Sequence, residues 1–242
     1  MKYLKTSGVV IAESSMEDYD KMLTVLTPNM GKISCIARGA KKNNSPLMAG
    51  TQYLCFSDFN LYKTKDTYSI NSCETIEVFY NIRTDLDKLT VASFVTKIIN
   101  DVTTENQGSF NTLKLYLNTL YMISETDKDL DFIVSVFKLR LLKILGFMPN
   151  VSECVECKSK NKIAYFSIKD DGVKCKKCGK LDKGAIQISE ATLNAMKYIL
   201  GADSKKIFNF SIPKECEKEL EIVTSLYLNE KLEKEYKIEK IV

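Results

Sequence analysis

The segment MLTVLTPNMGKISCIAR, residues 22–38, decides how the first third of the chain folds. Residues 22–26 form an apolar run, and residues 27–31 (TPNMG) carry the proline, asparagine and glycine that are typical of a turn. Residues 32–38 then alternate polar and apolar side chains, as a half-buried strand does. The segment therefore predicts two strands joined by a tight turn.

Three further segments on either side of this hairpin also predict strands. Residues 4–13 are mixed apolar and β-branched, and residues 53–62 and 68–78 are rich in aromatic and β-branched side chains. Five short antiparallel strands within about 80 residues favour a small closed barrel, for which the OB-fold is a natural candidate. We therefore expect residues 1–80 to form a five-stranded OB-fold barrel.

The rest of the chain is dominated by apolar residues at helical spacing, so the predicted fold class is α+β. Apolar side chains recur every three or four residues in segments 86–102, 110–123 and 130–145. Ser189 is a good N-cap for another helix, and the last helix is expected to begin near Pro213. These helices predict a helical domain that follows the barrel.

Two cysteine pairs carry the strongest chemical signal. They are CVEC, residues 154–157, and CKKC, residues 175–178. A C-x2-C pair lets two thiolates converge on one ion, and we expect Gly172 and Gly179 to supply the positive-φ positions that such turns need. Because four sulfur ligands leave no position for water or substrate, we predict one structural zinc ion held by Cys154, Cys157, Cys175 and Cys178.

Disulfides or free buried thiols are the alternatives for these cysteines. Disulfides persist in oxidising compartments, and residues 1–15 lack the long apolar run and cleavage site of an export signal. We therefore interpret residues 150–183 as a zinc finger inserted between two parts of the helical domain, residues 81–149 and 184–242. The other cysteines lie among apolar neighbours and are expected in cores: Cys35, Cys55, Cys73 and Cys216.

The composition excludes several classes of function. The 242 residues are 45% hydrophobic and 27% charged, with a net charge of +4, which is ordinary for a globular protein. No apolar stretch approaches the roughly 18 residues that a membrane span needs. Because there is no histidine, the chain has no Ser-His-Asp or Cys-His nucleophile and no H-E-x-x-H metal site. The ten glycines form neither a dinucleotide-binding nor a P-loop pattern.

Basic residues concentrate in one part of the predicted barrel. Residues 21–57 contain no acidic residue, and a polar loop at residues 39–46 joins two predicted strands. A patch of one sign attracts phosphate, and barrel loops are where OB-folds hold single-stranded nucleic acid. We therefore expect DNA contacts from Arg38, Lys41 and Lys42.

Other side chains have two open interpretations. Strand aromatics either stack on bases or pack in the core: Tyr53, Phe59, Tyr62 and Tyr68. Lysines beside the second cysteine pair either contact phosphate or are merely solvated: Lys174, Lys176, Lys177 and Lys180. Aspartate groups either converge on metal ions in a nuclease or, where they precede helices, complement the helix dipole: Asp18/Asp20, Asp85/Asp87 and Asp127/Asp129/Asp131.

Several motifs, in order along the chain, resemble the bacterial RecO family of DNA repair proteins. KTSGVV (5–10) is similar to the family's K-T-x-G-x-V start, LTPNMGK (26–32) to its F-T-P-x-x-G-K turn, and ARGAKK (37–42) to its A-K-G-A-R-R segment. FKLRLL (137–142) and LGF (145–147) resemble its F-E-L-R-L-L…L-G-Y helix, immediately before the cysteine pairs.

This resemblance implies an OB-fold, a helical domain and a zinc finger with a non-enzymatic role in recombinational repair. Members of the family bind single- and double-stranded DNA and anneal complementary strands. With the partner RecR, they help load recombinase onto DNA covered by single-stranded DNA-binding protein. They also bind the acidic, hydrophobic tail of that protein through the helical domain. We expect a bacterial cytoplasmic location in association with the nucleoid.

The chain departs from the family pattern after the basic loop, which continues as NNSP (43–46) and is less basic than is usual. We therefore expect Lys5, Lys32 or the zinc segment to add DNA contacts. Arg140, on an apolar helix, pairs either with a carboxylate of the partner's tail or with an internal acid. Two rival hypotheses are a zinc-stabilised adaptor that binds only proteins and a metal-dependent nuclease that uses the aspartate groups.

Overall fold

The computed structural model describes residues 3–17, 19–64 and 67–238. The chain forms two compact units whose boundary lies between Leu120 and Tyr121. The finer domain limits at residues 80, 149 and 183 remain predictions. Within the described ranges, no helix is both long enough and apolar enough to cross a membrane.

Five strands form the barrel of the first unit: β1 (Tyr3–Ser15), β2 (Lys21–Thr27), β3 (Gly31–Ala37), β4 (Phe56–Lys63) and β5 (Tyr68–Glu77). They close in the order β1-β2-β3-β5-β4, as the prediction of an OB-type barrel requires. β1 serves both neighbours, because residues 3–9 pair with β4 and residues 9–15 pair with β2. A register shift between Val10 and Ala12 accompanies this change of partner.

The prediction that all five strands are antiparallel is wrong for one pair. β3 and β5 run parallel, with Cys35 opposite Tyr68 and Ile36 opposite Ser69. The reason is geometric: strand directions cannot alternate all the way around a closed ring that has an odd number of strands. The other four pairs are antiparallel, so the parallel pair is the point at which the barrel closes.

Alternation along the strands places one face of each inside the barrel. Every second residue of β3 from Gly31 to Ala37 is buried, as the polar–apolar pattern predicts. Phe59 is only 2% exposed, so it packs in the core and cannot stack on a base. Other buried residues of this core are Val10, Leu23, Val25, Ile33, Cys35, Leu61 and Ile70.

Three helices follow the barrel: α1 (Tyr80–Arg83), α2 (Leu86–Val102) and α3 (Phe110–Glu125). Asp85 caps α2, because its side chain accepts hydrogen bonds from the backbone N–H groups of Asp87 and Lys88. The connection between α2 and α3 lies against the turn between β2 and β3. Its Asn106 N–H donates to the Met30 carbonyl at 2.9 Å. The predicted β-turn is thus fixed by a segment more than seventy residues away in sequence.

The second unit combines helices with a small sheet that the sequence patterns did not predict. Its helices are α4 (Leu130–Ile144), α5 (Lys176–Gly179), α6 (Glu190–Gly201) and α7 (Lys214–Lys231). Its strands, in the order β7-β6-β8, are β6 (Ile163–Ser167), β7 (Gly172–Cys175) and β8 (Ile186–Gln187). α4 packs against α6 and α7. Phe166 of β6 meets Tyr227 of α7 edge-on at 5.3 Å, so the sheet shares a core with the helices.

The charged side chain of Lys138 is buried among the helices of the second unit. Lys138 of α4 is 5% exposed, and its Nζ donates to Ser225 Oγ on α7 at 2.9 Å. Burial lowers the pKa of Lys138 from 10.5 to about 8, although Glu221 and Asp131 act in the opposite direction. The unfolded chain therefore binds more protons than the folded chain between about pH 8 and 10.5.

We expect stability to rise with pH in that window because of Lys138. A shift of this size corresponds to at most about 3 kcal/mol. Lys138→Met should stabilise the protein at pH 7 and remove this part of the rise, which urea unfolding at pH 7.5–9.5 would measure. Lys218→Met, on an exposed position of α7, is the matched control. An identical pH dependence in wild type and Lys138→Met would contradict the prediction.

Candidate metal centre and nucleic-acid interface

The four cysteines of the two C-x2-C pairs come together in the second unit. The Sγ atoms of Cys154, Cys157, Cys175 and Cys178 all lie within 4.8 Å of one another, and those of Cys157 and Cys175 are 3.7 Å apart. All four are free thiols, because the sulfur atoms lie much farther apart than the roughly 2.05 Å of a disulfide bond. With metal–sulfur bonds of about 2.3 Å, tetrahedral geometry separates neighbouring sulfurs by about 3.8 Å. The cluster is therefore compatible with a metal site.

Backbone hydrogen bonds shape both cysteine turns. The Lys158 N–H donates to the Cys154 carbonyl at 2.9 Å, and the Cys154 N–H donates to the Ser159 carbonyl at 2.8 Å. In the second turn, β7 ends at Cys175 and the short helix α5 carries Cys178. The Lys176 N–H donates to the Lys162 carbonyl at 2.9 Å, which ties the second turn to the residue before β6.

The expectation that Gly172 and Gly179 provide positive φ angles is wrong. The left-handed position of the first turn is Lys158, with φ +60°, and neither glycine has a positive φ. Both glycines are needed for close approach instead. A Cβ at Gly179 would lie 2.3 Å from the Tyr165 ring, and one at Gly172 would lie 2.6 Å from the Asn150 carbonyl oxygen. Glycine is therefore required at both positions, but because of close packing and not because of the backbone conformation.

The surroundings shift the pKa values of three cysteines of the cluster, two of them downward and one upward. Burial alone would raise the pKa of Cys154, but backbone N–H groups of Cys157, Cys175 and Glu156 lower it to about 6. The pKa of Cys175 is also lowered, first by the backbone N–H of Cys178. Hydrogen bonding with Cys175, then burial, raises the pKa of Cys178 to about 12. Because a metal binds thiolates, an ion that binds here would release the proton that Cys178 retains.

An ion-pair network covers one side of the metal module. Lys174 is 5% exposed, and its Nζ contacts Asp170, Asp182 at 3.0 Å and Glu156 at 3.8 Å. Hydrogen bonds from Ser167 and Lys174 lower the pKa of Asp182 to about 2, and the pKa of Lys174 is raised, first by Asp170. Lys174 is thus occupied by carboxylates, so it is the least suited of the module's lysines to contact phosphate.

The basic loop after β3 is held against the connection between β1 and β2. The Gly39 N–H donates to Asp20 Oδ1 at 2.7 Å, and the Lys41 N–H donates to the Tyr19 carbonyl at 2.9 Å. The Lys41 Nζ also donates to the Met16 carbonyl at 3.0 Å. Lys41 therefore anchors the loop, whereas Arg38 and Lys42 are exposed.

Sequence reasoning missed Tyr19 as a member of this surface. Tyr19 is 54% exposed, and the Nζ of Lys42 lies 5.8 Å from the centroid of its ring. An exposed ring beside cations is the arrangement on which single-stranded bases stack. The available signal was position, because the β1–β2 connection is one of the loops that OB-folds use for ligands.

Lys5 and Lys32 lie in different surroundings. Lys5 is exposed on β1 and lines a groove that also contains Asp58 and Glu74, so carboxylates are close to it. The Nζ of Lys32 donates to the backbone oxygen of Asn100 at 2.6 Å and to its Oδ1 at 3.2 Å. Lys32 therefore joins β3 to α2, while the exposed Arg38 and Lys42 remain the better-placed cations.

Comparison with known proteins identifies the family. Residues 1–79 match the family described as Recombination protein O N terminal, and residues 83–239 match Recombination protein O C terminal. The chain belongs to the RecO family. Together the two RecO regions account for nearly the whole chain, including the barrel loop and the cysteine cluster.

Individual RecO proteins support the same assignment. The chain is 46% identical over 237 residues to DNA repair protein RecO of Acetivibrio thermocellus, covering 98% of this chain and 94% of that protein. It is 31% identical to that of Alkaliphilus metalliredigens, over 93% of this chain and 92% of the relative. It is 32% identical to DNA repair protein RecO of Clostridium perfringens, over 95% of this chain and 93% of the relative. Membership of the RecO family implies a role in recombinational DNA repair.

Arg140 of the RecO helix motif has a partner that neither sequence hypothesis named. Its Nη1 donates to the backbone carbonyls of Ile199 at 2.9 Å and Leu200 at 3.3 Å. The Nζ of Lys143 also donates to Leu200. These cations therefore satisfy free carbonyls at the C-terminal end of α6, where positive charge is favourable. The internal group that Arg140 satisfies is a helix end and not an acid.

Three of the seven aspartates considered for metal chemistry in this RecO protein have structural roles: Asp20, Asp85 and Asp129. Asp129 caps α4 by accepting from the N–H groups of Asp131 and Phe132, as Asp85 caps α2. Asp20 holds the Gly39 N–H. Asp18, the other member of that pair, lies outside the described residues. The helix-start interpretation is therefore confirmed for Asp85 and Asp129.

Proposed function

We propose that this chain is a non-enzymatic mediator of recombinational repair that binds single- and double-stranded DNA and anneals complementary strands. Annealing needs no bond chemistry, because the protein must only neutralise two phosphate backbones and release them after pairing. Many modest lysine and arginine contacts, each exchanging a counterion, suit that task better than a few base-specific ones.

The observation that carries this proposal is the anchored basic loop of the barrel. Arg38 and Lys42 are exposed on a loop that hydrogen bonds hold against the β1–β2 connection, beside the exposed ring of Tyr19. Among the described residues, neither cation forms an ion pair within 4 Å. Cations for phosphate and a ring for a base thus lie together at a loop where OB-folds bind single strands.

We propose that the cysteine cluster holds one zinc ion with a structural role. Four thiolates at tetrahedral spacing are typical of zinc and leave no open coordination position. The four ligands come from the turn before β6 and from the end of β7 with α5, so the ion would tie these segments together at one end of the small sheet, where Ile163 pairs with Cys175.

We propose RecR and the tail of single-stranded DNA-binding protein as partners, on the strength of family membership. Together they would let the protein load recombinase onto covered DNA. Arg140 stays a candidate for the acidic tail, because its guanidinium has five N–H donors and the bonds to α6 come from Nη1 alone.

We expect the double variant Arg38→Gln/Lys42→Gln to bind single-stranded DNA at least tenfold more weakly at moderate salt. It should also reduce the slope of log K against log salt by roughly 0.7 for each phosphate that the protein no longer neutralises. Lys41 is retained because its Nζ anchors the loop. Fluorescence anisotropy with a labelled oligonucleotide at several salt concentrations measures both quantities.

The matched control is Lys97→Gln/Lys114→Gln, which removes the same charge from α2 and α3. Affinity and salt slope equal to the control would contradict the role of the loop. No binding by the wild type at any salt would contradict the proposed function and favour the protein adaptor. Cleavage of labelled DNA with Mg²⁺ or Mn²⁺ would favour the nuclease instead.

A further inference from the structure

Four lysines surround one concavity of the metal module. The concavity has a volume of about 380 Å³ and is lined by Ser159, Asn161 and Cys175 together with Lys162, Lys176, Lys177 and Lys180. No carboxylate lines it. Within residues 3–17, 19–64 and 67–238, none of these four lysines forms an ion pair within 4 Å. The lysine pocket, as we call these four side chains and the concavity between them, therefore concentrates uncompensated positive charge.

None of the module's five acids lines the lysine pocket, and four of them have partners or surroundings elsewhere. Asp170, Asp182 and Glu156 surround Lys174 and line a separate groove, and Asp171 pairs with Lys231 of α7. Lys174 is the module lysine that neutralises acids, and it is not part of the lysine pocket. The module thus has one side on which charges cancel and another on which they add.

The lysine pocket is tied to the metal ligands. Lys176 and Lys177 separate Cys175 from Cys178 on α5, and Lys180 is the C-terminal residue flanking that helix. The carbonyl of Lys162, a left-handed residue with φ +54°, accepts the N–H of Lys176. Four thiolates with Zn²⁺ carry a charge of about −2, so four lysines leave an excess of about +2 on this surface.

We propose that the lysine pocket is a second DNA-phosphate site, separate from the barrel loop; this inference rests on the proposed DNA-binding function. Ammonium groups act as point charges that attract phosphate without reading base sequence, which suits a protein that anneals any complementary pair. The carbon stems of the lysines form most of the wall of the concavity, and no aromatic or branched aliphatic residue lines it. The uncompensated charge of four lysines suits the phosphodiester backbone, and binding of an acidic peptide instead is an outcome that the test separates.

The test replaces the four lysines with glutamine in the full-length, zinc-loaded chain. The probes are labelled single- and double-stranded oligonucleotides, titrated by anisotropy at several salt concentrations. We expect at least fivefold weaker single-strand binding and a salt slope lower by about 1.4 or more, as if two fewer phosphates were neutralised. The control removes four other exposed lysines of the same module: Lys158, Lys160, Lys169 and Lys183. Zinc content is measured for every variant.

The control shows whether weaker DNA binding comes from loss of the lysine pocket or from loss of positive charge anywhere on the module. Equal losses in the two quadruple variants would overturn the proposal, as would unchanged binding in the pocket variant. If the pocket variant lost zinc, Lys162→Gln/Lys180→Gln, which leaves the residues between the cysteines intact, must still lower the slope. The proposal would also be overturned if the pocket variant lost binding to an acidic peptide but kept normal binding to DNA. A wild type that binds no DNA refutes the proposed function itself, whereas normal loop-dependent binding without pocket dependence refutes only this inference.

Discussion

Cys175→Ser should reduce bound zinc from one ion per chain to nearly none and unfold the small sheet of the second unit. Serine is a poor zinc ligand, and the remaining three cysteines cannot complete a closed sulfur shell. In isolated zinc-finger peptides the apparent binding free energy is about 10–16 kcal/mol, much of which is folding free energy. Here the sheet also packs through Phe166 against Tyr227, so we expect part of the unit to survive.

Metal analysis, thermal unfolding and hydrogen exchange together check this prediction. Zinc should be absent, the melting temperature should fall by several degrees, and amides of β6 and β7 should lose protection. A chelator added to the wild type should produce the same exchange pattern. Cys73→Ser is the control, because Cys73 lies on β5 in the first unit. Full zinc content in Cys175→Ser, or unchanged protection in β6 and β7, would show that the cluster is not the metal site.

Local patterns predicted the parts of the fold that depend on local chemistry. Alternation in residues 32–38 predicted β3, the aspartates at 85 and 129 predicted helix starts, and the spacing of the cysteines predicted the cluster. Each of these signals involves residues within a few positions of one another, or ligands whose spacing is set by one ion.

Long-range partners were beyond the reach of such patterns. The parallel pairing of β3 with β5 depends on how the barrel closes, and the amine of Lys32 is held by Asn100, 68 residues away. In the sequence, Lys174 cannot be distinguished from the neighbouring lysines. The structure shows that it contacts three carboxylates, those of Glu156, Asp170 and Asp182. Local patterns also could not explain Gly179, which is required because the ring of Tyr165 leaves no room for a Cβ at this position.

Gly31→Ala should strongly destabilise the barrel. Gly31 has φ +64°, where a side chain costs of order 1–3 kcal/mol. In addition, a Cβ would lie 2.0 Å from the Thr104 carbonyl oxygen and 2.6 Å from that of Gln107. Both obstacles are backbone atoms, so no side-chain rotation can relieve them. We expect a loss of at least about 3 kcal/mol in unfolding free energy, measured by urea denaturation.

Gly39→Ala separates the two causes of that loss. Gly39 has φ +66°, nearly the same as Gly31, but its Cβ would meet only the Lys42 side chain at an ordinary 3.6 Å. It should therefore lose only the conformational part, about 1–2 kcal/mol. The excess at Gly31 measures how firmly the α2–α3 connection is fixed, through bonds such as Lys32 N–H to Thr104 and Ser109 N–H to Pro28. Equal losses in the two variants would mean that the connection moves away freely, and that these bonds do not hold the turn.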